Sequence, residues 1–253
     1  MTRKVLWSYD PDQAGLLDKA RTINASAVCI RTDLAWLPAA IPQFKQHDIA
    51  VYGWRWPAIR PTTTPPPHYY ADDEANYVVT ELIPSGLAGY IVDAESDGPK
   101  APEREWDSKV VDTKTLAATF CKTIKDAGMK AIPTFLFGMT SGGTYPKAYP
   151  QIPWAEFVAA SQALYPQVYW YKDKQQYPGR STPQDSYNTC IPLWQKIAAG
   201  KPLIPIIGEI ASVTSQEIAS YSAIITANKL TEVHMYTYDG GVSLQNWTAM
   251  KNL

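Results

Sequence analysis

The stretch AGYIVDAE, residues 88–95, is followed by the helical pattern DTKTLAATFCKTIKDAG (112–128) and then by the apolar run KAIPTFLFG (130–138), and the three read as strand, helix, strand. Tyr90, Ile91 and Val92 form a buried-strand core, yet the strand finishes on Asp93 and Glu95. Side chains two apart on an extended chain share a face, so these two acids point the same way. Like charges held together repel, which makes the pair a candidate for chemistry as well as for a strand end meeting water.

The same alternation runs outward in both directions. Candidate strands are VLWSYD (5–10), AVCIRTD (27–33), IAVYGWRW (49–56), the two above, QVYWYKD (167–173), LIPIIGE (203–209) and EVHMYTYD (232–239). Helical patterns separate them, namely PDQAGLLDKARTI, LPAAIPQFKQH, DDEANYVVTEL, DTKTLAATFCKTIKDAG, PWAEFVAASQALY, PQDSYNTCIPLWQKIAAG and TSQEIASYSAIITAN, and SLQNWTAMKNL closes the chain. Asp112 and Thr214 stand as helix N-caps, and Gly128 and Gly200 where C-terminal glycines are expected. Eight strand–helix repeats in 253 residues predict a single (β/α)8 barrel domain spanning 1–253. A doubly wound sheet competes, but no glycine-rich phosphate turn follows the first strand.

Loop lengths are asymmetric. Helix-to-strand links such as GMKAI and GKPLI are tight, whereas strand-to-helix segments such as PAIRPTTTPPPHYYA, SDGPKAPEREWDSKVV, MTSGGTYPKAYPQIP and KQQYPGRST are long and rich in Pro, Gly and Tyr. A barrel gathers its strand-to-helix loops at the rim that carries active sites. At that rim the strand ends supply Asp10, Asp33, Arg55, Asp93, Glu95, Asp173, Glu209 and Asp239.

Composition narrows the chemistry. Charged residues make up 19% and the formal net charge is -1, so there is no basic footprint for nucleic acid or anionic lipid. The three cysteines, Cys29, Cys121 and Cys190, have no metal-type spacing and read as reduced thiols. The N-terminus lacks a signal-peptide core and no stretch is long enough for a membrane span, so a soluble chain made in the cytoplasm is expected, exported if at all by a phage lysis system or a dedicated secretion machine. His47, His68 and His234 form no metal pair, and a Ser–His–acid triad is disfavoured. Lys100, Lys147 and Lys172 end no strand in a desolvated pocket, which argues against a Schiff-base barrel enzyme. TSGGT (140–144) is a weak phosphate-loop pattern. No cofactor is expected.

Two carboxylates across a cleft suit glycosidic bond hydrolysis, one donating a proton and the other stabilising, attacking or activating water. A neighbouring Asp93 would raise the Glu95 pKa by repulsion and keep it protonated near neutrality. The aromatic count, 9 Trp and 16 Tyr against 5 Phe, favours half-wet surfaces on which sugar rings stack. Tyr52, Trp54 and Trp56 share one face of the third strand and Arg55 takes the other, while Tyr169, Trp170, Tyr171, Tyr236 and Tyr238 come from the sixth and eighth. Some of these fill the barrel in layers; Trp54, Trp56, Arg55, Tyr171, Tyr236, Tyr238 and Asp239 are the candidate substrate contacts.

VDAE, VYGWRW, VYWYKD, MYTYD and the early Asp10 together resemble the strand ends of glycoside hydrolase family 25, the lysozyme-type muramidases. WSYDPDQAG stands where that family opens with Asp-Val-Ser, VYGWRW lacks its histidine, and Met235 lies where its last strand carries tryptophan. The resemblance implies a peptidoglycan-cleaving barrel with Glu95 as acid, Asp93 orienting or stabilising the intermediate through the substrate's N-acetyl group, and Asp10 in support. A retaining layout with Glu95 on strand four and Glu209 on strand seven is the other catalytic arrangement, although Ala94 stands where that layout has Asn. A catalytically silent sugar-binding barrel, serving as a phage or effector module, is the reading from a different class.

Overall fold

The structure, a computed structural model, describes residues 2–9, 12–57, 69–96, 106, 112–171, 179–238 and 241–253. Asp10, His68, Lys100, Lys172, Asp173 and Asp239 therefore lie outside the described residues. Eight parallel strands close on themselves in sequence order, β1 beside β8, as the strand–helix alternation predicts. They are β1 (Arg3–Ser8), β2 (Ala27–Arg31), β3 (Ala50–Arg55), β4 (Gly89–Asp93), β5 (Leu136–Gly142), β6 (Ala163–Gln167), β7 (Ile206–Ile207) and β8 (Glu232–Met235). Helices α1 (Gln13–Thr22), α2 (Leu37–Lys45), α3 (Tyr70–Tyr77, continued by a π-helical turn Val78–Leu82) and α4 (Thr113–Ala131) follow the first four strands. Short α5 (Tyr145–Ala148) and α6 (Trp154–Ala160) follow β5, and α7 (Pro183–Gln195), α8 (Ser215–Ala227) and α9 (Leu244–Lys251) complete the ring.

Period-two alternation divides the strand residues between two cores. Val5, Trp7, Cys29, Tyr52, Trp54, Ile91, Tyr165 and Ile206 pack inside the barrel. Leu6, Val28, Ile30, Val51, Tyr90, Val92, Phe137 and Met139 pack outward beneath the helices. Removing this much apolar surface from water is the main driving force for closing the barrel.

The two N-caps fall where the sequence predicts them. Asp112 accepts from the Thr115 backbone N–H at 3.2 Å. Thr214 and Glu217 form a reciprocal capping box at the start of α8. Helix α7 ends at Gln195 with Lys196 as its C-cap, so Gly200, with a φ of +80°, serves the turn that follows and not the helix end expected there.

Several element boundaries differ from expectation; β7 shrinks to Ile206–Ile207 and β8 ends at Met235. Helix α4 runs through Gly128 to Ala131, and that glycine is required by close approach, since a Cβ there would sit 2.3 Å from the Phe135 ring. Strand β5 consequently starts at Leu136 and absorbs Thr140 to Gly142, which sequence reading assigns to a loop. Strand β6 is Ala163–Gln167 and not 167–173, because α6 stops at Ala160 and frees ALYPQ to pair with β5.

Candidate active site

The alternation of β4 continues past its last paired residue. With Tyr90, Val92 and Ala94 turned to the helices, Ile91 faces the barrel interior and Asp93 and Glu95 enter the cleft above it. The pair predicted to share a face does so. Asp93 is buried and accepts from Gln167 Nε2 at 3.2 Å. The Tyr145 hydroxyl, at the start of α5, hydrogen-bonds Glu95. Burial, then the negative charge of Glu95, push the Tyr145 hydroxyl well above its ordinary range, so it stays protonated and donates.

These groups line a cleft of about 660 Å³ at the strand-to-helix rim. Trp7, Trp54 and Tyr169 supply buried aromatic surface in it, and Tyr9, Trp56, Tyr171 and Tyr236 supply more accessible rings. The rings brace one another. Tyr9 and Trp56 stack with centroids 5.7 Å apart at 10°, and Tyr169 and Tyr236 stack at 5.6 Å and 12°. Trp54 donates its indole N–H to the Ser8 carbonyl at 3.0 Å and packs 5.6 Å from Trp7.

Trp7 is held from below by a buried polar chain. Its indole N–H donates to His234 Nδ1 at 2.8 Å, and His234 Nε2 contacts Glu232 Oε1 at 2.6 Å. Because Nδ1 accepts, the neutral imidazole carries its proton on Nε2 and donates it to Glu232. Arg3 closes the chain with an ion pair to Glu232 at 2.8 Å and a hydrogen bond to the Tyr52 hydroxyl at 3.2 Å. Burial holds the His234 pKa below its ordinary value, with Glu232 only partly opposing. Burial pushes Glu232 up, but His234 and Arg3 outweigh it and hold the carboxyl below its usual range.

Arg180, which sequence reading did not single out, is buried on the segment entering α7. It donates to the carbonyls of Tyr169 at 3.0 Å and Gln167 at 3.2 Å, and lies over the Tyr171 ring at 5.0 Å. Among the described residues the charged lining of the cleft is therefore Asp93, Glu95 and Glu209 against Arg180. No group of three or more His, Cys, Asp or Glu is placed to hold a metal ion among the described residues.

This barrel is similar to solved structures across nearly its whole length. The Bacillus cereus spore cortex-lytic enzyme SleL matches with a TM-score of 0.62 at 8% identity, over 100% of this chain and 74% of that one. A chitinase from Chromobacterium violaceum matches at 0.61 and 12% identity, over 99% and 98% of the two chains. A glycoside hydrolase family 18 N-acetylglucosaminidase from Paenibacillus barengoltzii matches at 0.63 and 12%, over 100% and 99%. The likeness lies in the fold. No protein-family profile matches the chain, and no curated protein does.

Of the sequence-predicted residues, Asp93, Glu95, Glu209, Trp54, Trp56, Tyr171 and Tyr236 all line the one cleft. Glu209 is exposed at its edge, two residues past the short β7. Arg55 turns away, as its parity requires, pairs with Asp33 at 3.1 Å and lines a neighbouring cavity. Tyr238 is a correction. It would alternate into the cleft if β8 continued, but the strand ends at Met235, and the Tyr238 hydroxyl instead donates to Asp12 Oδ2 at 3.2 Å while its ring packs 5.9 Å from Trp247. Asp12 caps α1, so Tyr238 serves the barrel wall. The site residues that sequence reading missed are Trp7, Tyr9, Gln167, Tyr145 and Arg180. Trp7 and Tyr9 were accessible by parity, since they share the inward face of β1 with Val5. Tyr145 and Arg180 lie on connections, where no periodicity announces a direction.

Proposed function

We propose that this protein is a glycoside hydrolase acting on a glycan that contains N-acetylhexosamine, with peptidoglycan as the preferred substrate. The observation that carries the reading is the joint entry of Asp93 and Glu95, with Tyr145 on Glu95, into a cleft walled by indole and phenol rings. Aromatic faces complement the apolar face of a pyranose, and carboxylates bind or transfer protons at its hydroxyls and bridging oxygen.

In the proposed reaction Glu95 protonates the bridging oxygen as the bond from C1 to that oxygen breaks. The carbonyl oxygen of the substrate's own N-acetyl group bonds C1 in its place, and Asp93 steadies the positive charge that builds on the amide. Water then attacks C1, breaks its bond to the amide oxygen so that the N-acetyl group is restored, gives a proton to Glu95 and releases the reducing sugar, so that one glycosidic bond is cleaved and one water consumed. The barrel neighbours named above include a cortex-lytic enzyme and an N-acetylglucosaminidase, which is consistent with this substrate class. The position of Glu209 on the same cleft favours one second reading, in which Glu209 attacks C1 directly and no N-acetyl group is needed.

Mass spectrometry of products from purified peptidoglycan, chito-oligosaccharides and non-acetylated glucans tests both. New reducing ends confined to N-acetylated substrates, lost in Glu95→Gln and kept in Glu209→Gln, support the first reading. Loss in Glu209→Gln with cleavage of non-acetylated chains supports the second. Glycan binding without any cleavage by the wild type would make the protein a sugar-binding barrel.

A further inference from the structure

Arg180 is 8% exposed, yet it lines the central cleft. Its Nε is shared between the Tyr169 carbonyl at 3.0 Å and the Ser186 hydroxyl at 3.4 Å, and its Nη2 donates to the Gln167 carbonyl at 3.2 Å. The Tyr171 backbone N–H donates to the Arg180 carbonyl at 2.7 Å, and the guanidinium lies 5.0 Å from the centre of the Tyr171 ring. Backbone and side chain are thus both anchored, and the planar fork is held in one orientation.

A guanidinium carries five N–H donors. Among the described residues Nη1 donates to no acceptor, and it is not one of the polar atoms sealed in the interior without a partner. The open half of the fork therefore meets accessible space, and the space that Arg180 lines is the cleft. Among the described residues no carboxylate lies within ion-pair distance of it. A cation buried without a counter-charge is costly, and neutral donors can serve two carbonyls and a hydroxyl equally well. Gln167 links this cation to the reacting groups, since its carbonyl accepts from Arg180 and its side-chain amide donates to Asp93 at 3.2 Å. The cleft thus has carboxylates for the reaction and one preorganised cation whose free N–H groups suit a two-oxygen anion.

Resting on the glycosidase reading, we propose that Arg180 is a specificity-determining residue that seats a carboxylate of the glycan through Nη1 and Nη2. The favoured substrate then carries an anion in the same cleft as the bond that is cut. In peptidoglycan two sources share this chemistry: the lactyl carboxylate of a muramic acid without its peptide, and a carboxylate of the stem peptide.

Calorimetric titration of Glu95→Gln, which keeps the glycan intact, tests this. The ligands are neutral chitotetraose, the alternating N-acetylglucosamine–N-acetylmuramic acid tetrasaccharide with free lactyl acids, the peptide-bearing tetrasaccharide, and the methyl esters of both acids. A free acid should bind roughly tenfold more tightly than chitotetraose, and its ester should lose that gain. A gain in the peptide-free acid assigns the lactyl group, and a gain confined to the peptide-bearing form assigns the stem. Adding Arg180→Gln, which keeps an amide donor for the carbonyls, should make acid and ester bind alike, whereas Arg180→Lys should retain part of the preference. The ester comparison needs no change at Arg180 and stands even where those variants fold poorly. Equal binding of acids, esters and chitotetraose, or a preference for acid that survives Arg180→Gln, overturns the carboxylate seat and leaves the glycosidase reading intact. Failure of every ligand to bind, with no cleavage by the wild type, removes both.

Discussion

Residue scale is where Glu95 and Tyr145 meet. The Tyr145 hydroxyl hydrogen-bonds the proposed acid and fixes its direction. Tyr145→Phe should therefore lower kcat through looser positioning while ligand affinity is retained; an unchanged kcat would show that Tyr145 does not position Glu95. Glu95→Gln removes the proton donor itself, and the expected loss is roughly 10²–10⁴-fold in kcat with ligand affinity retained. The Asp93–Glu95 pair was legible in the sequence because a strand's parity survives one residue beyond its last ladder bond. Tyr145 was not, because it enters from a four-residue helix whose orientation depends on the packing beneath it.

At the scale of elements, strands β1 and β8 are joined across the barrel floor by Trp7, His234, Glu232 and Arg3. His234→Leu leaves the Trp7 indole N–H without its acceptor in a buried site, a cost of about 1–3 kcal/mol beyond the change in packing. His234→Asn puts an amide oxygen close to the Nδ1 position. It should recover part of that stability in denaturant unfolding and restore the Trp7 fluorescence response to ligand; equal behaviour of the two variants would show that the acceptor is immaterial. In α8, Thr214→Ala breaks the capping box and should cost about 1 kcal/mol, read as a lowered unfolding midpoint without loss of glycan binding. The misjudged start of β6 has its cause in the neighbouring helix. The sequence signal for β6 was the aromatic run at 167–173, but the ladder with β5 requires chain that starts at Ala163, and only the stop of α6 at Ala160 makes it available.

For the molecule as a whole, buried ionisable groups on either side of β3 pull stability in opposite directions with pH. His234 and Glu232 have depressed pKa values, so the unfolded chain takes up their protons first, below the ordinary 6.5 and 4.5, and their contribution is present at neutrality and lost in acid. Burial raises the Glu74 pKa despite donation from Thr32, so its ionisation works against the fold as pH rises above 4.5. Glu74→Gln keeps an acceptor for both hydroxyls. It should raise the unfolding midpoint at pH 7, with the gain vanishing below pH 4.5. The stability difference between wild type and His234→Asn should shrink as pH falls below 6.5. A pH-independent difference in either series would mean that these groups do not titrate differently in the folded and unfolded chains.

By itself the sequence determined the eightfold strand–helix order, the elaborated rim and the shared face of Asp93 and Glu95, because each follows from periodicities of two and 3.6 residues that local sterics impose. Barrel closure decided what those periodicities cannot reach. It turned Tyr238 onto Asp12 and Trp247 once β8 had ended, and it brought Arg180 back over Tyr171. It also placed Tyr145 against Glu95, fifty positions earlier in the chain. Connections have no repeat from which a direction can be read; their side chains point where the packed strands leave room.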